Sequence, residues 1–400
     1  MKKTVMISLV AVAALQGASF DEAFKAGKVS GQLRTAYVSQ DNAVDTDTYG
    51  TSLGGQLKYE TDTWNDLKIG VSAYISQKLG FATGDVDQGK ANNDLFANNA
   101  KSYAYVGEAY VDYSANDFSL RVGRQLIDTP LADTDDIRMH PNTFEAAIAT
   151  YSGFDKTKLV AGYVKRFAGY DSGNDISEFK RLDGADSKGA AVFGILNESI
   201  ENLAVQGWYY GIDNVSNAFY TDAVYTLSLS ETMGLELSAQ AANFSEKQAS
   251  AIDGNVYGVS AALNVGALTL GAACNKASND DGKSIVNGFG GGPYFTSMEE
   301  MTIDSMEDAS AYQLSAELDL ADAGIEGLKL SALYGSFKST PMDMKVKETD
   351  FIAVYEINEA LSTEVSYAMV DDKNKNIFDN SGTPDDGGYD RLLVRLNYTF

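Results

Sequence analysis

Between Ile127 and Pro141 the chain reads Ile-Asp-Thr-Pro-Leu-Ala-Asp-Thr-Asp-Asp-Ile-Arg-Met-His-Pro, a run that gathers Asp128, Asp133, Asp135 and Asp136 around two prolines. Carboxylates at this density set a field that acts on cations and dipoles at close range, provided the segment lines a narrow aqueous path. The same composition equally suits an acidic surface loop, and the choice depends on the elements that carry the segment.

Other chemistries find less support. His140 is the only histidine; as a general base it needs a nucleophile or aspartate held beside it, yet it stands next to Pro141 in this same run. Cys274 is the only cysteine, which excludes an intrachain disulfide and a structural Cys/His zinc site. Gly84-Asp-Val-Asp-Gln-Gly-Lys-Ala91 nearly matches a phosphate-binding loop but lacks the closing Ser/Thr that would hold the metal. Asp45-Thr-Asp-Thr-Tyr-Gly50 opens like a calcium loop, then has Gln56 where the closing acid belongs. Both read as plain loops, and no enzyme is expected.

The 400 residues include 31 Lys+Arg against 56 Asp+Glu, a net charge of −25 that argues against nucleic acid as a partner. Hydrophobic residues make up 44%, too many for a disordered chain. Length alone would suggest two or three domains, but five Pro beside 37 Gly and 23 Tyr point to one large β structure. Residues 1–18 have Lys2 and Lys3, then an apolar stretch to Leu15, then small residues, the layout of a signal peptide cleaved after Ala18 or Ser19. Past that segment no apolar run approaches the roughly 18 residues of a membrane helix. Residues 19–400 are expected to form a single domain.

Its segments alternate with a period of two. In the last ten residues Leu392, Val394, Leu396, Tyr398 and Phe400 share one face, while Arg391, Leu393, Arg395, Asn397 and Thr399 share the other. The same pattern predicts eighteen strands at 29–38, 51–62, 66–77, 102–113, 117–125, 143–152, 156–166, 188–197, 201–210, 217–227, 232–243, 254–264, 266–275, 309–320, 326–337, 348–357, 360–370 and 390–400. Connections alternate short and long, with long ones near 39–50, 78–101, 126–142, 167–187, 211–216, 244–253, 276–308, 338–347 and 371–389. All five prolines fall in the long set, as paired strands require. Short turns on one side and long loops on the other indicate a transmembrane antiparallel β-barrel with short periplasmic turns and long extracellular loops, in a Gram-negative outer membrane.

The lipid face then carries outward tyrosines, Tyr37, Tyr59, Tyr105, Tyr113, Tyr367 and Tyr398, with Cys274 beside them as a small apolar residue. The opposite face carries Arg34, Lys58, Glu108, Arg121, Arg124, Glu317, Arg391 and Arg395 as lumen-wall charges. A dry core could not hold them, whereas a barrel of this size leaves a watered channel. The segment 126–142 joins the fifth and sixth strands, where it could turn into that channel.

Gly123-Arg-Gln-Leu-Ile-Asp-Thr-Pro-Leu-Ala-Asp-Thr-Asp-Asp-Ile-Arg-Met-His-Pro-Asn-Thr-Phe-Glu145 resembles the central motif of OprD-like outer-membrane porins, and within them the branch of campylobacterial major outer-membrane porins. Glu22-Ala-Phe-Lys-Ala-Gly-Lys-Val-Ser-Gly-Gln-Leu-Arg34, Gly290-Gly-Gly-Pro-Tyr-Phe-Thr-Ser297 and the closing Phe400 agree. The resemblance implies an 18-stranded barrel, usually a homotrimer in the lipid bilayer, inserted by the barrel-assembly machinery through its terminal Phe400. It implies that loop 126–142 turns inward as a constriction bearing Asp128, Asp133, Asp135, Asp136, Arg138 and Glu145. It implies passive diffusion of small ions and hydrophilic solutes with a cation preference, and in some members a calcium ion, for which the candidates here are Asp133, Asp135, Asp136, Glu299 and Glu300. The alternative is a surface adhesin or structural outer-membrane protein that uses the acidic loops 78–101 and 276–308.

Overall fold

The computed structural model describes residues 19–173, 175–182, 187–374 and 387–400. The expected signal peptide at 1–18 and Pro384, in the last long connection, lie outside the described residues. Eighteen long strands form the wall: β1 (Lys28–Asn42), β2 (Thr48–Glu60), β3 (Leu67–Lys78), β4 (Tyr103–Ala115), β5 (Phe118–Gln125), β6 (Thr143–Phe154), β7 (Thr157–Ala168), β8 (Ala190–Ile200), β9 (Leu203–Ile212), β10 (Ser216–Ser230), β11 (Met233–Glu246), β12 (Gly254–Val265), β13 (Leu268–Ser278), β14 (Ser310–Asp319), β15 (Leu328–Ser339), β16 (Met344–Glu356), β17 (Leu361–Asp372) and β18 (Tyr389–Thr399). Each pairs antiparallel with its neighbours in the chain. β1 also pairs with β18, from Gln32↔Thr399 to Asn42↔Tyr389, so the sheet closes. Closure leaves no orphaned strand edge, which is the condition for strands to cross a bilayer. This is the all-β, 18-stranded antiparallel barrel that the alternation predicts.

The alternation also fixes the two faces. On β18 Arg391, Leu393 and Arg395 are buried inside, while Leu396 and Tyr398 are exposed outside. Leu33, Leu57, Phe193, Tyr257 and Leu314 are likewise exposed, in one apolar band that suits lipid. Cys274 lies on this exposed face.

Strands extend further than expected on the long-loop side. The connections expected near 39–50, 211–216 and 338–347 shrink to 43–47, 213–215 and 340–343. Val38, Met344 and Val346 are buried inside, and their packing carries the pairing past the apolar band. Tyr105 is a correction. It pairs with Tyr74 inside the barrel, their rings 5.6 Å apart, rather than facing lipid. Between Ser72↔Glu108 and Ala73↔Val106 the register slips, leaving Gly107 as an extra residue; a bulge of this kind reverses the parity of everything beyond it.

The interior holds a packed apolar core as well as water-facing charge. Leu131, Phe289, Ile303 and Met306 from inward loops pack with Phe144, Tyr210, Phe244 and Phe337 of the wall. A smaller cluster joins Leu95, Phe96 and Met139 to Ala36, Val38 and Leu393. The hydrophobic content therefore serves two places, the lipid face and the wedge between loops and wall.

The β1–β2 seam permits one early test. Gly55 has φ +136°, and an added Cβ would overlap the Gln32 carbonyl oxygen on β1. Gly55→Val is expected to cut the yield of refolded, heat-modifiable barrel on a gel several-fold; an unchanged yield would show that the seam tolerates a side chain.

Candidate pore constriction

Loop 126–142 turns into the barrel and carries its own small hairpin, Asp128–Thr129 paired with Ala132–Asp133. It lies on a second inward loop, 279–309. The Asp133 N–H donates to the Phe289 carbonyl at 3.2 Å, and the Phe289 N–H donates to the Leu131 carbonyl at 2.9 Å. Glycine permits this approach: Gly288 and Gly290 have φ of +102° and +92°, where a side chain would meet the backbone of Leu131 and Asp133. The Gly-rich stretch thus has a structural reason. Loop 79–102 covers the other side through Leu95 and Phe96.

The arginines are spent on holding these loops. Arg34 grips Asp136 with both terminal nitrogens, at 2.6 and 2.8 Å, and donates to the Arg138 carbonyl at 2.8 Å. Arg395 donates to the Asp136 carbonyl and, at 2.7 Å, to Glu364. Arg138 reaches Glu300 at 3.4 Å and Asp94 at 3.8 Å and lies 4.3 Å above the Tyr170 ring. Arg391 pairs with the same Glu300, at 3.1 Å, and the same Asp94. Two guanidiniums and two carboxylates therefore tie three loops to the wall. Arg34, Arg391 and Arg395 are buried, not lapped by water as lumen-wall residues were expected to be, and so is Arg138 of the loop; the loops cover them, and their carboxylate partners, bidentate at Arg34, offset part of the lost hydration.

Asp136 is held below the usual carboxylate range by Arg34, against the opposing effect of its own burial. Asp133 and Asp135 face other acids instead. Burial raises both, and Asp128 adds to the effect on Asp133. Asp135 is pushed up to about 6, first by burial and then by Asp171 and Asp133. Their oxygens converge: a methyl at Gly291 would lie 3.0 Å from one oxygen of Asp133 and 3.4 Å from one of Asp135. Asp171, which accepts from the Asn142 side chain at 2.7 Å, completes the group. Nothing in the sequence singles out Asp171 or Asp94, because residues this far apart in the chain meet only through the loop fold.

The remaining predicted residues divide. Lys58 pairs with Glu108 at 3.0 Å, Arg121 with Asp112 at 2.7 Å, and Glu317 with Lys329 at 3.7 Å, all on the inward parity. Asp128, Asp112, Arg121 and Lys158 line an open cavity of about 310 Å³ beside the hairpin. Glu145, expected at the constriction, and Arg124, expected on the lumen wall, meet at 3.3 Å, with the Arg124 guanidinium 4.1 Å over the Phe179 ring. They oppose each other in register, on the parity of exposed Val122 and Val111, at the long-loop end of the wall. The outward parity of both follows from the regular β4–β5–β6 pairing.

Asp136 and Glu300 are committed to arginines, and among the described residues no group of three or more His, Cys, Asp or Glu is placed to hold a metal ion. His140 is buried, stacked on Tyr74 at 4.9 Å with Nε2 3.0 Å from the Ile75 carbonyl; burial pulls it down to about 4, and it packs rather than catalyses.

The family model described as outer membrane porin, OprD family, matches residues 23–398. No curated protein matches the chain significantly. Among solved structures, Pseudomonas aeruginosa OccK9 (OpdG) has a TM-score of 0.78 at 19% identity, covering 94% of this chain and 100% of its own. Acinetobacter baumannii OccAB4 gives 0.78 at 19% identity, covering 94% and 98%. P. aeruginosa OpdK, solved with vanillate, gives 0.76 at 18% identity, covering 94% and 99%. These likenesses support the fold.

Proposed function

The chain belongs to the OprD family of outer membrane porins, and on that premise we propose that it is a cation-preferring channel for passive diffusion of small ions and hydrophilic solutes. One observation carries the preference. The lumen arginines are neutralised in pairs, while Asp133, Asp135 and Asp171 are left facing one another where the inward loops meet. A cation gains from that field and an anion loses. The campylobacterial branch and the homotrimer stay part of this reading on the strength of the resemblance, and the signal peptide at 1–18 on that of its sequence layout. Phe400 is half exposed and paired by backbone with Gly31 at the barrel seam, which suits recognition by the barrel-assembly machinery.

The adhesin reading has less to stand on, since parts of both loops it relied on pack inside the barrel. Proteoliposome swelling separates the two. Vesicles bearing the protein should swell in isotonic small sugars; vesicles that stay shrunken would remove the channel.

A further inference from the structure

Outside the pore, two arginines share one carboxylate at the outer rim. Arg124 and Arg166 flank Glu145 at 3.3 and 3.5 Å, across β5, β6 and β7. The register slips between Glu145↔Arg166 and Ala146↔Val164, which leaves Lys165 as an extra, exposed residue beside Arg166. Arg181 sits opposite Arg166 in register on the short strand Lys180–Arg181. Lys165 and Arg166 stand here on a chain whose net charge is −25. Directly below them on the same outward face lie Tyr163, Val122 and Phe193, all exposed. An aromatic and apolar belt marks the membrane interface, so the cations stand at the level of the outer-leaflet headgroups.

We propose that Lys165 and Arg166 bind the phosphorylated headgroup of an outer-leaflet glycolipid. A guanidinium suits phosphate because it donates paired, charge-assisted hydrogen bonds; Arg124 is occupied by Glu145, the Val106 carbonyl and the Phe179 ring, while Arg166 meets Glu145 through one nitrogen, at 3.5 Å. The acyl chains of such a lipid would lie along the belt beneath. Free phosphate offers the headgroup contact but nothing for that belt.

The test uses the whole refolded chain in detergent, with diphosphoryl lipid A as probe and native mass spectrometry as readout. Lys165→Gln with Arg166→Gln should lower lipid A retention about thirtyfold, since each of the two cations beside an anionic surface is worth about 1 kcal/mol. Lys345→Gln, an exposed rim lysine on β16, should leave retention unchanged, and single-channel conductance of the double variant should equal that of the parent. Excess inorganic phosphate should not displace the lipid. Equal retention by the double variant, or full displacement by phosphate, would overturn the proposal. So would a double variant that loses oligomers while keeping its lipid, which would assign the patch to a second copy of the chain.

Discussion

Replacing Asp133 and Asp135 together by Asn should at least halve the reversal potential measured across a planar bilayer in a KCl gradient, with conductance little changed. The two carboxylates converge beside Gly291, and burial and the neighbouring Asp171 outweigh the more distant Arg138 at Asp135, so they supply field without holding the loops. Asn keeps their shape and removes the charge. Asp136→Asn should behave differently. Its carboxylate is the bidentate partner of Arg34 and lies near Arg395, so its loss leaves buried guanidiniums uncompensated and disturbs the fold as well as the field. Of the four aspartates in the run, Asp133 and Asp135 are therefore the pair expected to carry the selectivity. A pH dependence follows with a definite sign. Asp135 is pushed up to about 6, so it is charged above that value and neutral below it. Cation preference should be full near pH 8 and decline as the pH falls through 6. A preference that grows on acidification would contradict the assignment.

Arg138→Met should open and unsettle the constriction. Arg138 is buried and links loop 126–142 to Asp94 of one loop and Glu300 of another. Removing it leaves two acids with Arg391 as their shared partner, and breaking a buried pair from one side costs about 3–5 kcal/mol. The barrel wall has its own ladder of backbone hydrogen bonds, so the cost should fall on the loops. The expected record shows larger and noisier current steps, with a refolded barrel that still migrates as one band. Arg138→Lys should recover part of the quiet behaviour, because it keeps the charge and loses the forked geometry. Steps identical to the parent's would show that this network does not hold the loops.

Strand number, parity and closure are legible in the sequence because each rests on a local rule, alternation with a period of two. The rule fails where one residue is inserted: the bulge at Gly107 turns Tyr105 inward, and no composition marks it. Strand ends fail for a related reason. Lys345-Val-Lys-Glu348 looks like a polar loop, yet Val346 and Met344 are buried inside and extend β16 beyond the membrane band. The acidic run was recognisable as a candidate constriction, but its division of labour was not. Whether an aspartate holds an arginine or faces the path depends on Arg34, Glu300 and Arg391, which lie far away in the chain. The inward course of 279–309 was hidden too, because its Gly-rich stretch reads as flexible until its approach to Leu131 and Asp133 gives those glycines a purpose.

The central claim is a watered path through the barrel whose loops favour cations. Single-channel recording of the purified parent chain in a KCl gradient tests it most directly. The account predicts stable ohmic steps that reverse at a potential of the sign for potassium over chloride. Absence of steps, or reversal at the chloride-selective sign, would contradict it.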